Sequence, residues 1–186
     1  MCPGLLRDDG GVCRGSDGDL GTMIPLRAGI LSTAITIVLD QVSKFWLLNV
    51  FDIGHRGAVR VTPFFDLVLA WNTGISFGWL QSDSPAMQTA LMVVKALAVV
   101  ALAVWMARSR DLLATVALGL IIGGAVGNAI DRLAYGAVVD FALFHVEIGG
   151  NTYHWYVFNL ADVAIVAGVI ALLYDSLLGV PAAKAP

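Results

Sequence analysis

Apolar residues fall in four long blocks along this chain, and the polar residues are gathered mostly between them. The blocks lie at about residues 29–50, 86–107, 112–131 and 157–178. Each approaches the roughly 20 apolar residues needed to cross a hydrocarbon core of about 30 Å. The pattern predicts an all-α membrane protein with four transmembrane helices. The connection between the second and third blocks is short. The other two connections, residues 51–85 and 132–156, are long enough to hold structure of their own. In the first of them the runs VRVTPFF and DLVLAWN alternate, bounded by Gly54, Gly57, Gly74 and Pro85, which predicts short strands. With Trp71, Phe77 and Trp79 these strands would form a small extracytoplasmic β-cradle at the membrane interface, the depth aromatic rings prefer.

Charge gives the orientation. The short connection carries Arg108 and Arg110, and Arg7, Arg14, Arg27 and Lys184 lie near the ends of the chain, against Arg56, Arg60 and Arg132 on the opposite side. By the positive-inside rule both termini are cytoplasmic and the long connections face outward. Residues 1–22, rich in Gly and Asp, have no apolar run and are read as a disordered polar leader rather than a signal peptide. Translation from Met23 would account for such a leader, an expectation that N-terminal sequencing of the native product tests. Residues 23–180 are expected to form one membrane domain and residues 181–186 a cytoplasmic tail.

Composition agrees with a membrane protein: 58% of residues are hydrophobic, 13% are charged and the mean hydropathy is +0.80, well away from soluble domains. A net charge of −3 and no basic stripe leave no footprint for nucleic acid. Cys2 and Cys13 both fall in the leader, so no disulfide staples the body. His55, His145 and His154 are scattered, which argues against a structural zinc site. No metal or cofactor is called for.

The ionisable residues inside the apolar blocks are the candidates for chemistry, because such groups are costly there. Asp40 and Lys44 are spaced i, i+4 with the acid first, the favourable order for a pair on one helix. Lys95 stands near the middle of the second block, at a depth that permits a pair with Asp40. The plainer reading is that Asp40, Lys44 and Lys95 neutralise one another inside the bundle. Gly119, Gly123 and Gly127 recur every fourth residue, a face that lets another helix approach closely. Gly124, Gly127, Asn128 and Asp131 share a face, and Asp131 beside Arg132 fits a structural ion pair as well as a functional role. Beyond them come Asp140 and then Asp162. If these two meet at the outer end of the bundle, like charges in a poorly solvated site share one proton. Such a pair suits peptide hydrolysis: one carboxylate activates water while the protonated partner serves the carbonyl oxygen. Asn72, Asn128 and Asn159 are neutral groups able to hold a substrate backbone. Spacing alone leaves two other readings open: a small proton-coupled transporter with Asp40, Lys95 and Asp162 as relay, and a membrane assembly factor built on the glycine face.

The segments DQVSK (40–44), NTGISFG (72–78), GGAVGNAIDR (123–132), GAVVDF (136–141) and FNLAD (158–162), in this order on a four-span frame, resemble the bacterial lipoprotein signal peptidases (type II signal peptidases). The resemblance covers about residues 29–178. It implies an inner-membrane aspartyl protease that removes signal peptides from prolipoproteins just before a diacylglyceryl-modified cysteine. Its substrates would be membrane-dissolved prolipoproteins, with membrane lipid as surroundings, no cofactor, and globomycin-type compounds as inhibitors. Carried over by motif, Asp140 and Asp162 are the catalytic dyad. Asn72, Asn128, Arg132 and Asn159 line the substrate site, and Asp40, Lys44 and Asp131 support it. Ser76 stands where the family more often has Ala, a small departure.

Overall fold

A helix with glycine on two of its faces is the hub of the molecule. The structure, a computed structural model, describes residues 6–7, 13–14, 17–74 and 85–178. Two two-residue strands, β1 (Leu6–Arg7) and β2 (Cys13–Arg14), pair ahead of the long helix α1 (Asp17–Asn49). The short α2 (Ile53–Arg56) leads into β3 (Val59–Thr62) and β4 (Phe65–Asn72). Then follow α3 (Pro85–Arg108), the hub α4 (Leu112–Tyr135), β5 (Val138–Ile148), β6 (Asn151–His154) and α5 (Leu160–Leu178).

Helix α4 packs against α1, α5 and α3. Its glycine stripe meets α1: a Cβ added at Gly123 would come within 2.7 Å of the Thr36 Cβ, and one at Gly127 within 2.6 Å of Asp40 Oδ2. Gly124 on another face meets the Ala161 carbonyl at the start of α5, and Gly168 of α5 returns the approach against Ala117 and Ile121. Small residues thus bring three backbones close enough for short polar side chains to reach across. Asp111 caps the start of α4, its side chain accepting from Ala114 N–H at 3.0 Å. Gly136 ends it at φ 75° and donates back to the Arg132 carbonyl, the left-handed stop that glycine supplies without strain.

Among the described residues three helical stretches are long and apolar enough to cross a membrane: Met23–Asn49, Leu112–Tyr135 and Leu160–Leu177. They fall on the first, third and fourth predicted blocks, and α3 falls on the second. Helix α1 begins ahead of the predicted start at 29, and α4 runs past the predicted end at 131.

The sheet is larger than the sequence pattern predicts. Its four antiparallel strands run in the order β3-β4-β5-β6, so both long connections build it, not the first alone. Residues 138–142 of β5 are buried on both faces, which replaces alternation with a continuous apolar run and hides the strand from a period-two reading. The β5–β6 hairpin turns at Gly149 and Gly150, φ 61° and 82°, the doubly positive turn that matches strand twist. Between Leu67 and Ala70 the β4–β5 register shifts. This bulge lies beside the Ala70–Asp140 pair and changes which β4 side chains share a face with Asp140. Phe77, Trp79 and Ser76 lie outside the described residues.

Candidate active site

Both conspicuous aspartates are held by asparagine amides. Asp140, on β5, is 2% exposed. Its Oδ2 accepts from Asn72 Nδ2 at 3.0 Å and its Oδ1 from Asn159 Nδ2 at 2.6 Å. Asp162 stands in the first turn of α5, where Asn159 and Asp162 form a reciprocal cap. The Asp162 N–H donates to Asn159 Oδ1 at 3.0 Å, and Asp162 Oδ2 accepts from the Asn159 N–H at 3.3 Å. The other oxygen of Asp162 accepts from Asn128 Nδ2 at 3.0 Å. FNLAD is therefore a helix start whose capping side chain also grips the second carboxylate. Asn159 (1% exposed) touches both acids.

Each amide has one way to face. Asn159 turns its oxygen to a backbone N–H and its nitrogen to Asp140 and to Asn128 Oδ1. Asn72 receives the Gly74 N–H on its oxygen and gives its nitrogen to Asp140. Among the described residues all the hydrogen-bond partners of the two carboxylates are neutral donors. Burial pushes the Asp140 carboxyl up to about 6; the Asn72 hydrogen bond holds it down, the Asp162 charge raises it, and Asn159 and the more distant Lys44 hold it down further.

Asp140, Asp162 and Asn72 open into one cavity of about 840 Å³, otherwise lined mainly by apolar and aromatic groups such as Phe144, Trp155, Phe158, Val166 and Ile170. An apolar hollow with a few convergent polar groups is the usual form of a binding site. Its wall continues down α5, from Asp162 to Ile170.

Behind this pair lies a second, sealed cluster. Lys44 is 2% exposed, and Asp40 and Asp131 are fully buried at 0%. Lys44 Nζ is 2.8 Å from Asp40 Oδ2, 2.6 Å from Asp131 Oδ2 and donates to Asn128 Oδ1 at 3.2 Å. The remaining oxygen of Asp40 accepts from the Ala161 N–H at 3.0 Å, and Asp131 Oδ2 accepts from the Val139 N–H at 3.1 Å. Ala161 precedes Asp162 and Val139 precedes Asp140, so the buried triad holds the backbone just before each acid of the outer pair.

Two sequence-based pairings are corrected here. Asp40 and Lys44 do pair on one helix, but their third member is Asp131, not Lys95, because Gly127 lets α1 and α4 approach where Asp131 sits. Asp131 is likewise not the ion-pair partner of Arg132. The Arg132 guanidinium instead donates to the Gly74 carbonyl at 2.9 Å and to the Asn128 carbonyl at 3.3 Å, tying the end of β4 to α4. Asp40 is enclosed by Lys44, Gln41 and a backbone N–H, and among the described residues Lys95 is not one of its partners. Sequence reasoning passed over Gln41, whose Nε2 lies 3.1 Å from Asp40 Oδ2, 3.1 Å from the Gly127 carbonyl and 2.9 Å from Asp131 Oδ1. A glutamine inside an apolar block was itself the available signal.

The chain is similar to known proteins. A family model described as signal peptidase (SPase) II matches residues 32–178. The lipoprotein signal peptidase of Nitrobacter hamburgensis is 74% identical over 164 residues, 88% of this chain and 100% of that protein. That of Rhodopseudomonas palustris (strain TIE-1) is 67% identical over the same shares, 88% and 100%. A solved bacterial membrane enzyme is 31% identical with a TM-score of 0.65, over 80% of this chain and 92% of its own. A second gives 30% and 0.66, over 85% and 94%. With the family model matched over most of the chain and these relatives covered from end to end, the protein belongs to the signal peptidase II family.

Proposed function

We propose that the protein is an inner-membrane aspartic endopeptidase that cleaves signal peptides from diacylglyceryl-modified prolipoproteins, immediately before the lipidated cysteine. Four helices cross the membrane, with both termini cytoplasmic and the Asp140–Asp162 site at the outer face. The observation that carries this reading is the pair itself: two carboxylates joined through Asn159, with neutral donors as their hydrogen-bond partners, at the mouth of an apolar cavity.

Asp162 is the base. One oxygen accepts from the Asn159 N–H at the positive end of α5 and the other from the Asn128 amide of α4, an arrangement that suits a carboxylate. Asp140, pushed up to about 6, carries the shared proton. A water between them loses a proton to Asp162 and attacks the scissile carbonyl carbon. Asp140 donates to the carbonyl oxygen as it gains charge. As the C–N bond breaks, a carboxyl proton passes to the leaving nitrogen, and the pair ends with one proton, as it began. Asn72, Asn128 and Asn159 set the carboxylates and line the substrate path. Arg132 fixes the turn at Gly74 beside Asn72, and Asp40, Lys44 and Asp131 support the frame. A substrate with two acyl chains and an apolar helix is already dissolved in the bilayer, and the apolar wall of α5 below Asp162 gives it a lateral way in.

The test is cleavage of a diacylglyceryl-modified prolipoprotein by purified protein, read by mass spectrometry of the released signal peptide, with wild type beside Asp140→Asn and Asp162→Asn. Cleavage before the modified cysteine by wild type alone is expected. Full activity in either variant would end the dyad assignment, and vectorial proton transport by wild-type vesicles without cleavage would favour a transporter instead.

A further inference from the structure

Lys95 has no place in the network described above. It lies in the middle of α3, it is exposed, and it makes no hydrogen bond or ion pair among the described residues. A lone cation halfway along an apolar helix is costly, and such residues mark functional paths.

Its position relates it to the active site. Helices α3 and α4 are antiparallel neighbours joined at Arg108 and Leu112. At about 1.5 Å per residue, Lys95 stands roughly 20 Å above Arg108, while Asn128 stands roughly 24 Å above Leu112. The few ångströms between these levels are within the span of a lysine side chain, which bends its charge toward polar surroundings. Lys95 continues, one turn further on, the α3 stripe of Val99, Leu102, Ala103 and Met106 that packs with Leu118 and Ile122 of α4, so it stands on the α4 side of α3, level with Asn128, whose amide holds Asp162.

A signal helix arriving there brings an unsolved problem. It must end before the scissile bond, and its last four carbonyls have no partner within the helix. No water replaces that partner in hydrocarbon. The end also carries partial negative charge, which a cation offsets. An ammonium offers three donors and no acceptor, the complement of a row of carbonyl oxygens. We propose that Lys95 is a substrate-positioning residue that donates hydrogen bonds to carbonyl oxygens of the bound prolipoprotein beside the dyad. The proposal rests on the peptidase reading above. The carbonyls belong either to the last turn of the signal helix or to the esters of the diacylglyceryl group.

Kinetics of the purified full chain on a diacylglyceryl-modified prolipoprotein test it, with Lys95→Met and Lys95→Arg beside wild type. The expected result for Lys95→Met is a KM raised about tenfold, the scale of one charge-assisted hydrogen bond, with kcat within about twofold of wild type. Lys95→Arg, which keeps the donors and the charge, restores most of the loss. The melting temperature of Lys95→Met stays level or rises, since an unpaired charge has been removed. A substrate with ether-linked chains separates the two carbonyl sources. If the tenfold effect persists, the peptide carbonyls are the acceptors; if it vanishes, the esters are. An unchanged KM in Lys95→Met while wild type cleaves normally would overturn the proposal and leave the peptidase reading standing. A lowered melting temperature, or a moved pH profile at constant KM, would also overturn it, assigning Lys95 to the fold or to the dyad. No cleavage by wild type would instead remove the peptidase reading.

Discussion

Two pairs of aspartates lie next to each other in this protein, and they are opposites. Asp40 and Asp131 share a lysine: Lys44 sits 2.8 and 2.6 Å from their oxygens and all three are sealed from solvent. Asp140 and Asp162 share an asparagine, with neutral donors as hydrogen-bond partners and a cavity in front of them. A cation between two carboxylates fixes both as charged acceptors, and each then also holds a backbone N–H group, Asp40 that of Ala161 and Asp131 that of Val139. Asn159 gives its side-chain N–H to one carboxylate and its backbone N–H to the other, which fixes their positions but leaves their mutual repulsion in place, a setting that favours a shared proton. The counter-ion separates a frame from the proposed reactive site, although the residues are of one type.

The comparison breaks most sharply at the outer pair. Asp140→Asn or Asp162→Asn is expected to lower kcat by about a thousandfold or more while the fold persists, checked by cleavage rate beside a thermal melt. Next comes the lysine. Lys44→Met leaves buried carboxylates unpaired and is expected to cost about 3–5 kcal/mol. Adding Asp40→Asn and Asp131→Asn to it should return much of that stability, measured by denaturation in detergent. If Lys44→Met melts like wild type, the inner cluster is not an ion-paired frame. Gly127→Ala would place a methyl 2.6 Å from Asp40 Oδ2. It should cost about 1–3 kcal/mol and lower activity together with stability.

Smaller effects sharpen the titration. Because Asp140 holds its proton more tightly folded than unfolded, it contributes to stability below the ordinary carboxylate range, and that contribution is lost as pH rises through about 6. Asp140→Asn, with no proton to lose, should therefore melt a few degrees above wild type at pH 8 and gain less at pH 4. The Asn72 amide favours the ionised form of Asp140. Asn72→Ala should move the alkaline limb of the kcat/KM profile to higher pH, and a shift to lower pH would contradict its role.

Much of this was legible in the sequence because the membrane demands long apolar blocks, and those blocks place three of the helices within a few residues, while α1 begins at Asp17, well ahead of its block. The polar motifs at their ends also pointed to Asp140, Asn159 and Asp162, which the structure brings together. Pairing was less legible. Spacing gave Asp40 with Lys44, but the third partner depended on how closely Gly127 lets two helices approach, and a linear pattern does not contain that distance. Asp131 and Arg132 are neighbours in sequence yet point to different partners, since adjacent helical residues diverge by about 100°. The strand at 138–142 was hidden by burial on both faces. The backbone N–H groups of Val139 and Ala161, which join the inner cluster to the outer, carry no side-chain signal at all.

The most direct test of a shared proton is to watch Asp140 itself, by carbon NMR of labelled aspartate carboxyls in the purified protein, comparing wild type with Asp162→Asn. The account predicts that Asp140 titrates near 6 in wild type and at lower pH once the neighbouring charge is gone. A wild-type Asp140 that titrates in the ordinary range near 4, indifferent to Asp162→Asn, would contradict it.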